Sequence, residues 1–144
     1  MSKIPKILII NGPNLNMLGK REPEIYGDKT LEDLVKYLSD TFKGKTDLVF
    51  YQSNIEGELV SRIQQADEEK FDGVIMNPGA YTHYSLALHD AVKSINIPVI
   101  EVHISNIYAR EEARHTSVIA PAAIGQISGF NFKSYVLAIN YFLI

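Results

Sequence analysis

Three short stretches of this 144-residue chain collect most of the side chains that can move protons or hold anions. The first is Asn11-Gly12-Pro13-Asn14-Leu15-Asn16, which runs on through Arg21, Glu22, Pro23, Tyr26 and Gly27. The second is Asn77-Pro78-Gly79-Ala80-Tyr81-Thr82-His83, with Asp90 seven residues beyond the histidine. The third is Glu101-Val102-His103-Ile104-Ser105-Asn106, followed by Arg110 and Arg114. Histidine takes up and releases a proton near neutrality. A phenol ionises only near pH 10, so tyrosine acts as a base near neutrality only where a cation favours the phenolate. Guanidinium forks match carboxylates and phosphates, so Arg110 and Arg114, spaced i and i+4, read as one helical face clamping an anion.

Each stretch also has a plainer reading. Asn, Gly and Pro are ordinary turn residues. His83 fits a strand-to-helix turn, with Asp90 a solvated carboxylate two turns along the same helix face. A lone histidine at a strand end, as His103 is, is more often structural than catalytic. Arg110 and Arg114 beside Glu111 and Glu112 fit an ion-paired surface helix. The functional reading rests on all three stretches occurring together, and that depends on the elements that carry them.

Ile7-Leu8-Ile9-Ile10 is a short β-branched run stopped by Asn11-Gly12-Pro13, which predicts a buried strand. Leu48 to Tyr51, Gly73 to Met76 and Pro98 to Val102 predict three more. Between them, apolar residues recur at helical spacing. Leu31, Leu34, Val35, Leu38 and Phe42 follow a Thr30/Asp33 capping box, and Leu59, Val60, Ile63 and Ala66 follow a Ser53/Glu56 box. Tyr84 to Ile95 predicts a third helix, and Tyr135, Val136, Ile139, Phe142 and Leu143 mark a last one. Strands alternating with helices, and lacking in-out alternation, predict a parallel sheet covered on both faces. The fold class is therefore α/β, a three-layer, flavodoxin-like, doubly wound sheet. Ligands bind such sheets beyond the C-terminal strand ends, where the three polar stretches fall.

Composition narrows the chemistry. The chain has no cysteine, which excludes disulfides, thiolate metal sites and a cysteine nucleophile. A formal net charge of −3 argues against nucleic acid or an anionic membrane as partner. No GxxxxGK[ST] or GxGxxG motif supports a nucleotide site. His83, Asp90 and His103 could converge on a metal, although their spacing matches no standard ligand pattern. The apolar run after Lys6 is too short for a signal segment or a membrane span. The expectation is a soluble, cytoplasmic protein with one domain over residues 1–144 and 46% hydrophobic residues to fill its core.

Taken in order along the chain, these motifs resemble the type II 3-dehydroquinate dehydratases. The matching stretches are the three above, together with Gly19-Lys20-Arg21-Glu22-Pro23, Gln52-Ser53-Asn54, Glu56-Gly57-Glu58-Leu59 and Arg110-Glu111-Glu112 with Arg114-His115. The resemblance implies a lyase that eliminates water from 3-dehydroquinate through an enolate. It implies Tyr26 as the base, with the lid arginine Arg21 and Arg110 supporting the phenolate. His103 would be the general acid, oriented by Glu101. Asn77 would hold a water that stabilises the enolate. Asn77, His83, Asp90, Ile104, Ser105 and Arg114 would contact substrate, and Asn14 would support the site. Backbone amides would receive the substrate carboxylate and Arg114 a hydroxyl, which displaces the two-armed carboxylate clamp. Asp90 would arrive from a neighbouring subunit of a homododecamer built from trimers. No cofactor or metal is implied. Ile55, Tyr84, His89 and Ala113 depart from the family pattern. The readings from another class are a small-anion binding module and an inactive homologue; the first lacks a phosphate motif, and the second is opposed by the presence of Tyr26, Arg21, His103 and Asn77.

Overall fold

The computed structural model describes residues 3–144. Five strands form one sheet: β1 (Lys6–Asn11), β2 (Asp47–Gln52), β3 (Gly73–Asn77), β4 (Val99–His103) and β5 (Gly125–Ser128). All neighbours pair in parallel, in the order β2-β1-β3-β4-β5. Five helices accompany them: the single turn α1 (Pro23–Tyr26), then α2 (Leu31–Thr41), α3 (Glu56–Glu68), α4 (Leu86–Ser94) and α5 (Lys133–Tyr141).

The uninterrupted apolar run of β1 divides by parity. Ile7 and Ile9 pack with Leu34 and Leu38 of α2 and with Tyr135, Ala138 and Ile139 of α5. Leu8 and Ile10 pack on the opposite face with Leu59 and Ile63 of α3 and Leu88, Ala91 and Val92 of α4. All four β1 side chains are fully buried. Each contributes about 1.5–3 kcal/mol relative to an exposed side chain. This is the three-layer, flavodoxin-like architecture expected of the sequence, with α2 and α5 covering one face and α3 and α4 the other.

Four local features differ from the sequence-based expectation. A fifth strand, β5, lies at the sheet edge beside β4. The Thr30/Asp33 box forms as expected, but Ser53 and Glu56 do not cap α3, whose N-cap is Ile55. Ser53 Oγ instead accepts from the Ile55 N–H and donates to Glu58, while Glu56 accepts from Ser85 Oγ at 2.5 Å. Helix α4 starts at Leu86, because Ser85 caps it through the Leu88 N–H after a 3-10 turn over Gly79–His83. Residues 107–114 form two 3-10 turns, Ile107–Ala109 and Glu112–Arg114, and no α-helix. The shared helical face read for Arg110 and Arg114 does not exist.

Candidate active site

β1 and β3 end side by side, with Asn11 and Asn77 in register. Strand order reverses here, since β1 leads outward to β2 and β3 outward to β4. The connections after the two strands therefore diverge and leave a crevice. The loops come very close: Gly12 N–H donates to the Asn77 carbonyl at 2.8 Å. A Cβ at residue 12 would lie 2.7 Å from the Pro78 carbonyl oxygen, so only glycine fits there.

The floor of the crevice comes from β3 and β4. Asn77 is 3% exposed, and its amide is committed on two sides. Oδ1 accepts from the Gly79 N–H at 3.1 Å and Nδ2 donates to Tyr135 Oη at 2.9 Å. Glu101 and His103 lie two apart on β4 and so point the same way. Their contact, Nε2 to Oε2, is 2.5 Å. Glu101 is fully buried, yet its carboxylate has three further donors: Thr82 Oγ1 at 2.7 Å, Ser117 Oγ at 2.7 Å and Gln126 Nε2 at 3.0 Å. Burial alone would push the Glu101 carboxyl up. The hydrogen bond and charge of His103, with the Thr82 and Ser117 hydroxyls, outweigh it and hold the group below the ordinary carboxylate range. An ionised Glu101 requires the proton on His103 Nε2, so the histidine's exchangeable position is Nδ1.

The roof is assembled from the loop after β1 and the segment after β4. Glu22 adopts a left-handed backbone (φ 39°), a conformation that costs an ordinary residue about 1–2 kcal/mol. Its carboxylate is held by Arg21 at 3.4 Å and faces Arg110 at 3.8 Å. Helix α1 begins at the next residue and delivers Tyr26, 8% exposed. Arg110 Nη1 donates to Tyr26 Oη at 2.7 Å and reaches Ser105 Oγ at 3.4 Å. The guanidinium carbons of Arg21 and Arg110 stand 4.7 and 5.3 Å from the Tyr26 ring centroid. Two guanidinium groups thus stand against one phenol, and one of them bonds its oxygen.

Between floor and roof lies a cavity of about 110 Å³. Ten of the twelve residues singled out in the sequence line it: Asn14, Arg21, Tyr26, Asn77, His83, His103, Ile104, Ser105, Arg110 and Arg114. Glu101 sits behind His103. Asp90 does not reach this cavity; it lies on α4 with its side chain 81% exposed, beside His89. His83 Nδ1 donates to the Thr116 carbonyl at 2.7 Å, which leaves Nε2 for the cavity. Arg114 is held by Glu111. The backbone N–H groups of Ile104 and Ser105 have no protein acceptor among the described residues. Leu15 and Ile107 supply apolar wall that the sequence reading did not pick out. It also missed Ser117 and Gln126, which bond the Glu101 carboxylate, and Tyr135, which bonds Asn77; none of the three lines this cavity. Among the described residues no cluster of three or more His, Asp or Glu side chains is arranged to hold a metal. Among the described residues no helix is long and apolar enough to cross a membrane.

The arrangement suits proton transfer: a phenol oxygen beside guanidinium charge, and a histidine braced by a buried carboxylate, open onto one small polar cavity. Comparison with known proteins agrees with that chemistry. The model of the family described as dehydroquinase class II matches residues 5–143. The 3-dehydroquinate dehydratase of Bacillus licheniformis is 59% identical over 141 residues, covering 97% of each chain. That of Clostridium acetobutylicum is 59% identical over 136 residues, 94% of each. The crystal structure of the type II dehydroquinase from Butyrivibrio crossotus superposes with a TM-score of 0.96 at 48% identity, covering 99% of this chain and all of that one. On sequence, fold and extent of match alike, this chain belongs to the class II dehydroquinase family.

Proposed function

We propose that this chain is a cofactor-free hydro-lyase that converts 3-dehydroquinate to 3-dehydroshikimate, the reaction for which its relatives are named, in the shikimate pathway or in quinate breakdown. One observation carries the mechanism: Tyr26 Oη, bonded to Arg110, and His103, tied through Nε2 to Glu101, line the same cavity. Tyr26 as phenolate removes a proton from the carbon α to the ketone, and the electron pair moves onto the ketone oxygen as an enolate. Asn77 stabilises that oxygen through a water, a donor aimed where charge develops. The enolate then collapses, forming the ring double bond and expelling the β-hydroxyl. His103 protonates that hydroxyl from Nδ1, so it departs as water. The proton held by Tyr26 returns to His103 through solvent, and the site is reset.

The other roles follow from position. The unpaired N–H groups of Ile104 and Ser105 suit the substrate carboxylate, with the Ser105 hydroxyl beside them. Arg114 and His83 suit ring hydroxyls, Arg21 closes over the base, and Asn14 lines the mouth. The residues span a single catalytic domain that works in the cytoplasm as a homododecamer of trimers. Exposed Asp90, with Tyr84 at 64% and Leu86 at 65% exposure near it, supports a neighbouring subunit covering this surface and receiving Asp90 in its cavity.

The direct test is incubation with 3-dehydroquinate while following the near-ultraviolet absorbance of the conjugated enone carboxylate. The reading expects steady growth of that absorbance without added metal or nucleotide. Folded protein that produces none would reject it.

A further inference from the structure

The phenol of Tyr135 lies under the cavity and touches nothing in it. It is fully buried, on α5, in a chain region with no role in the chemistry above. Its hydroxyl bridges the ends of the two switch-point strands. Oη donates to Asn11 Oδ1 at 2.6 Å and accepts from Asn77 Nδ2 at 2.9 Å. Asn11 and Asn77 are register partners, so the bridge spans the reversal of strand order.

A phenol has one proton to give. Here Asn11 takes it, so the side of Tyr135 facing Asn77 can only accept. The Asn77 amide must therefore turn Nδ2 toward Tyr135. The Gly79 N–H makes the complementary demand, because it needs Oδ1 on its own side. Turning the amide over would set Oδ1 against an oxygen with no proton left and the NH₂ group against an N–H. Of the four hydrogen-bonding positions on that amide, two are used, and one N–H and one Oδ1 lone pair remain. Burial pushes the Tyr135 hydroxyl far above the ordinary phenol range, against the smaller opposing pull of its Asn77 bond, so it keeps its proton throughout the working pH range.

We propose that Tyr135 is a positioning residue: its hydroxyl, anchored on Asn11, fixes which face of the Asn77 amide meets the reacting substrate. The inference rests on the proposed dehydration, in which Asn77 serves the enolate. Misplacing such a donor by an ångström costs on the order of a hundredfold in rate. In that reading most ground-state substrate contacts are made elsewhere, by Arg114, His83 and the Ile104 and Ser105 amides. Loss of the bridge should therefore fall on kcat and leave KM alone.

The test is Tyr135→Phe, alone and combined with Asn77→Ala. The bridge predicts a fall in kcat of roughly 10- to 100-fold with KM within about twofold. It also predicts less than a further twofold loss when Tyr135→Phe is added to Asn77→Ala, because the two changes remove one device. A kcat within twofold of the parent, or an equal fold-loss in both backgrounds, would overturn it. A merely structural tyrosine would lower stability and leave turnover per folded site unchanged. Should Tyr135→Phe not fold, Asn11→Ala removes the anchor while sparing the buried ring. The same kcat-selective loss is expected, and unchanged kcat would overturn the proposal. A second readout needs no activity, and so separates this inference from the dehydratase reading. The Asn77 side-chain amide protons, assigned by their loss in Asn77→Ala, should exchange with water at least tenfold faster in Tyr135→Phe. Identical exchange in the two proteins would overturn the positioning role even if the parent does not act on 3-dehydroquinate.

Discussion

Beneath the cavity, Asn77, Glu101 and His103 are 3, 0 and 5% exposed and sit on interior strands paired on both sides. Above it, Arg21, Glu22 and Arg110 hold Tyr26 through charge, with Arg21 and Glu22 side chains 29 and 41% exposed on short turns between strands. Floor and roof serve one site but resist different insults. The floor is positioned by the sheet register and by a buried carboxylate that accepts from four side chains. The roof is positioned by ion pairs and by the hydrogen bonds of Arg110 to Tyr26 and Ser105, and its ion pairs are weaker near water and screened by salt. A buried, braced acid and a base held by charged side chains on short turns suit a site that must admit a substrate and then exclude water.

The largest expected contrast is Glu101→Gln. It removes a charge at the centre of four donors, and breaking a buried ion pair typically costs about 3–5 kcal/mol. Urea unfolding should show a loss of that order at neutral pH, with turnover falling as His103 loses its brace. The folded-state pKa of Glu101 lies below its unfolded value. Its stabilisation is therefore complete above the ordinary carboxylate pKa of 4.5 and is lost as pH falls through the lower folded value. The stability gap between parent and variant should hold constant from neutrality down to about pH 4.5 and narrow below it. A gap that narrows on going alkaline would contradict the assignment of an ionised Glu101.

A smaller effect is expected from Arg110→Lys on the roof. An ammonium keeps the charge but lacks the fork that reaches Tyr26, Ser105 and Glu22 together. Losing a charge-assisted hydrogen bond of about 1.5–3 kcal/mol predicts a roughly 10- to 100-fold loss of kcat. Unfolding stability should change by less than about 1 kcal/mol, because lysine keeps the charge and the partner carboxylate of Glu22 is 41% exposed. If Arg110→Lys destabilised the protein as much as Glu101→Gln, the distinction between floor and roof would fail.

The same contrast explains what was legible in the sequence. β1, β3 and β4 announce themselves because interior strands are apolar without interruption, and the polar residues that end them fall where the fold puts its crevice. Thr30 and Asp33 encode their cap locally. β5 was missed because an edge strand of four residues, Gly125 to Ser128, carries one large apolar side chain and no alternation. Gln126 went with it, although it bonds Glu101. The turns over residues 107–114 were read as a helix because Arg110 and Arg114 have the spacing. Their conformation is set by tertiary contacts instead, such as Arg110 Nη1 donating to Tyr26 Oη, 84 residues away, at 2.7 Å. Ser117 and Tyr135 carry no local signal. Only the folded chain brings Tyr135 to Asn11, 124 residues away.

The central claim is that the roof takes a proton from carbon and the floor gives one to the departing hydroxyl. The most direct measurement is the rate at which deuterium enters the α carbon of 3-dehydroquinate in heavy water, compared for Tyr26→Phe and His103→Ala. With the base removed, exchange and dehydration should fall together, by about 10²- to 10⁴-fold. With the acid removed, exchange should continue faster than dehydration, because the enolate still forms and returns. Exchange that persists at the parent rate in Tyr26→Phe would contradict the assignment, showing that another group removes the proton.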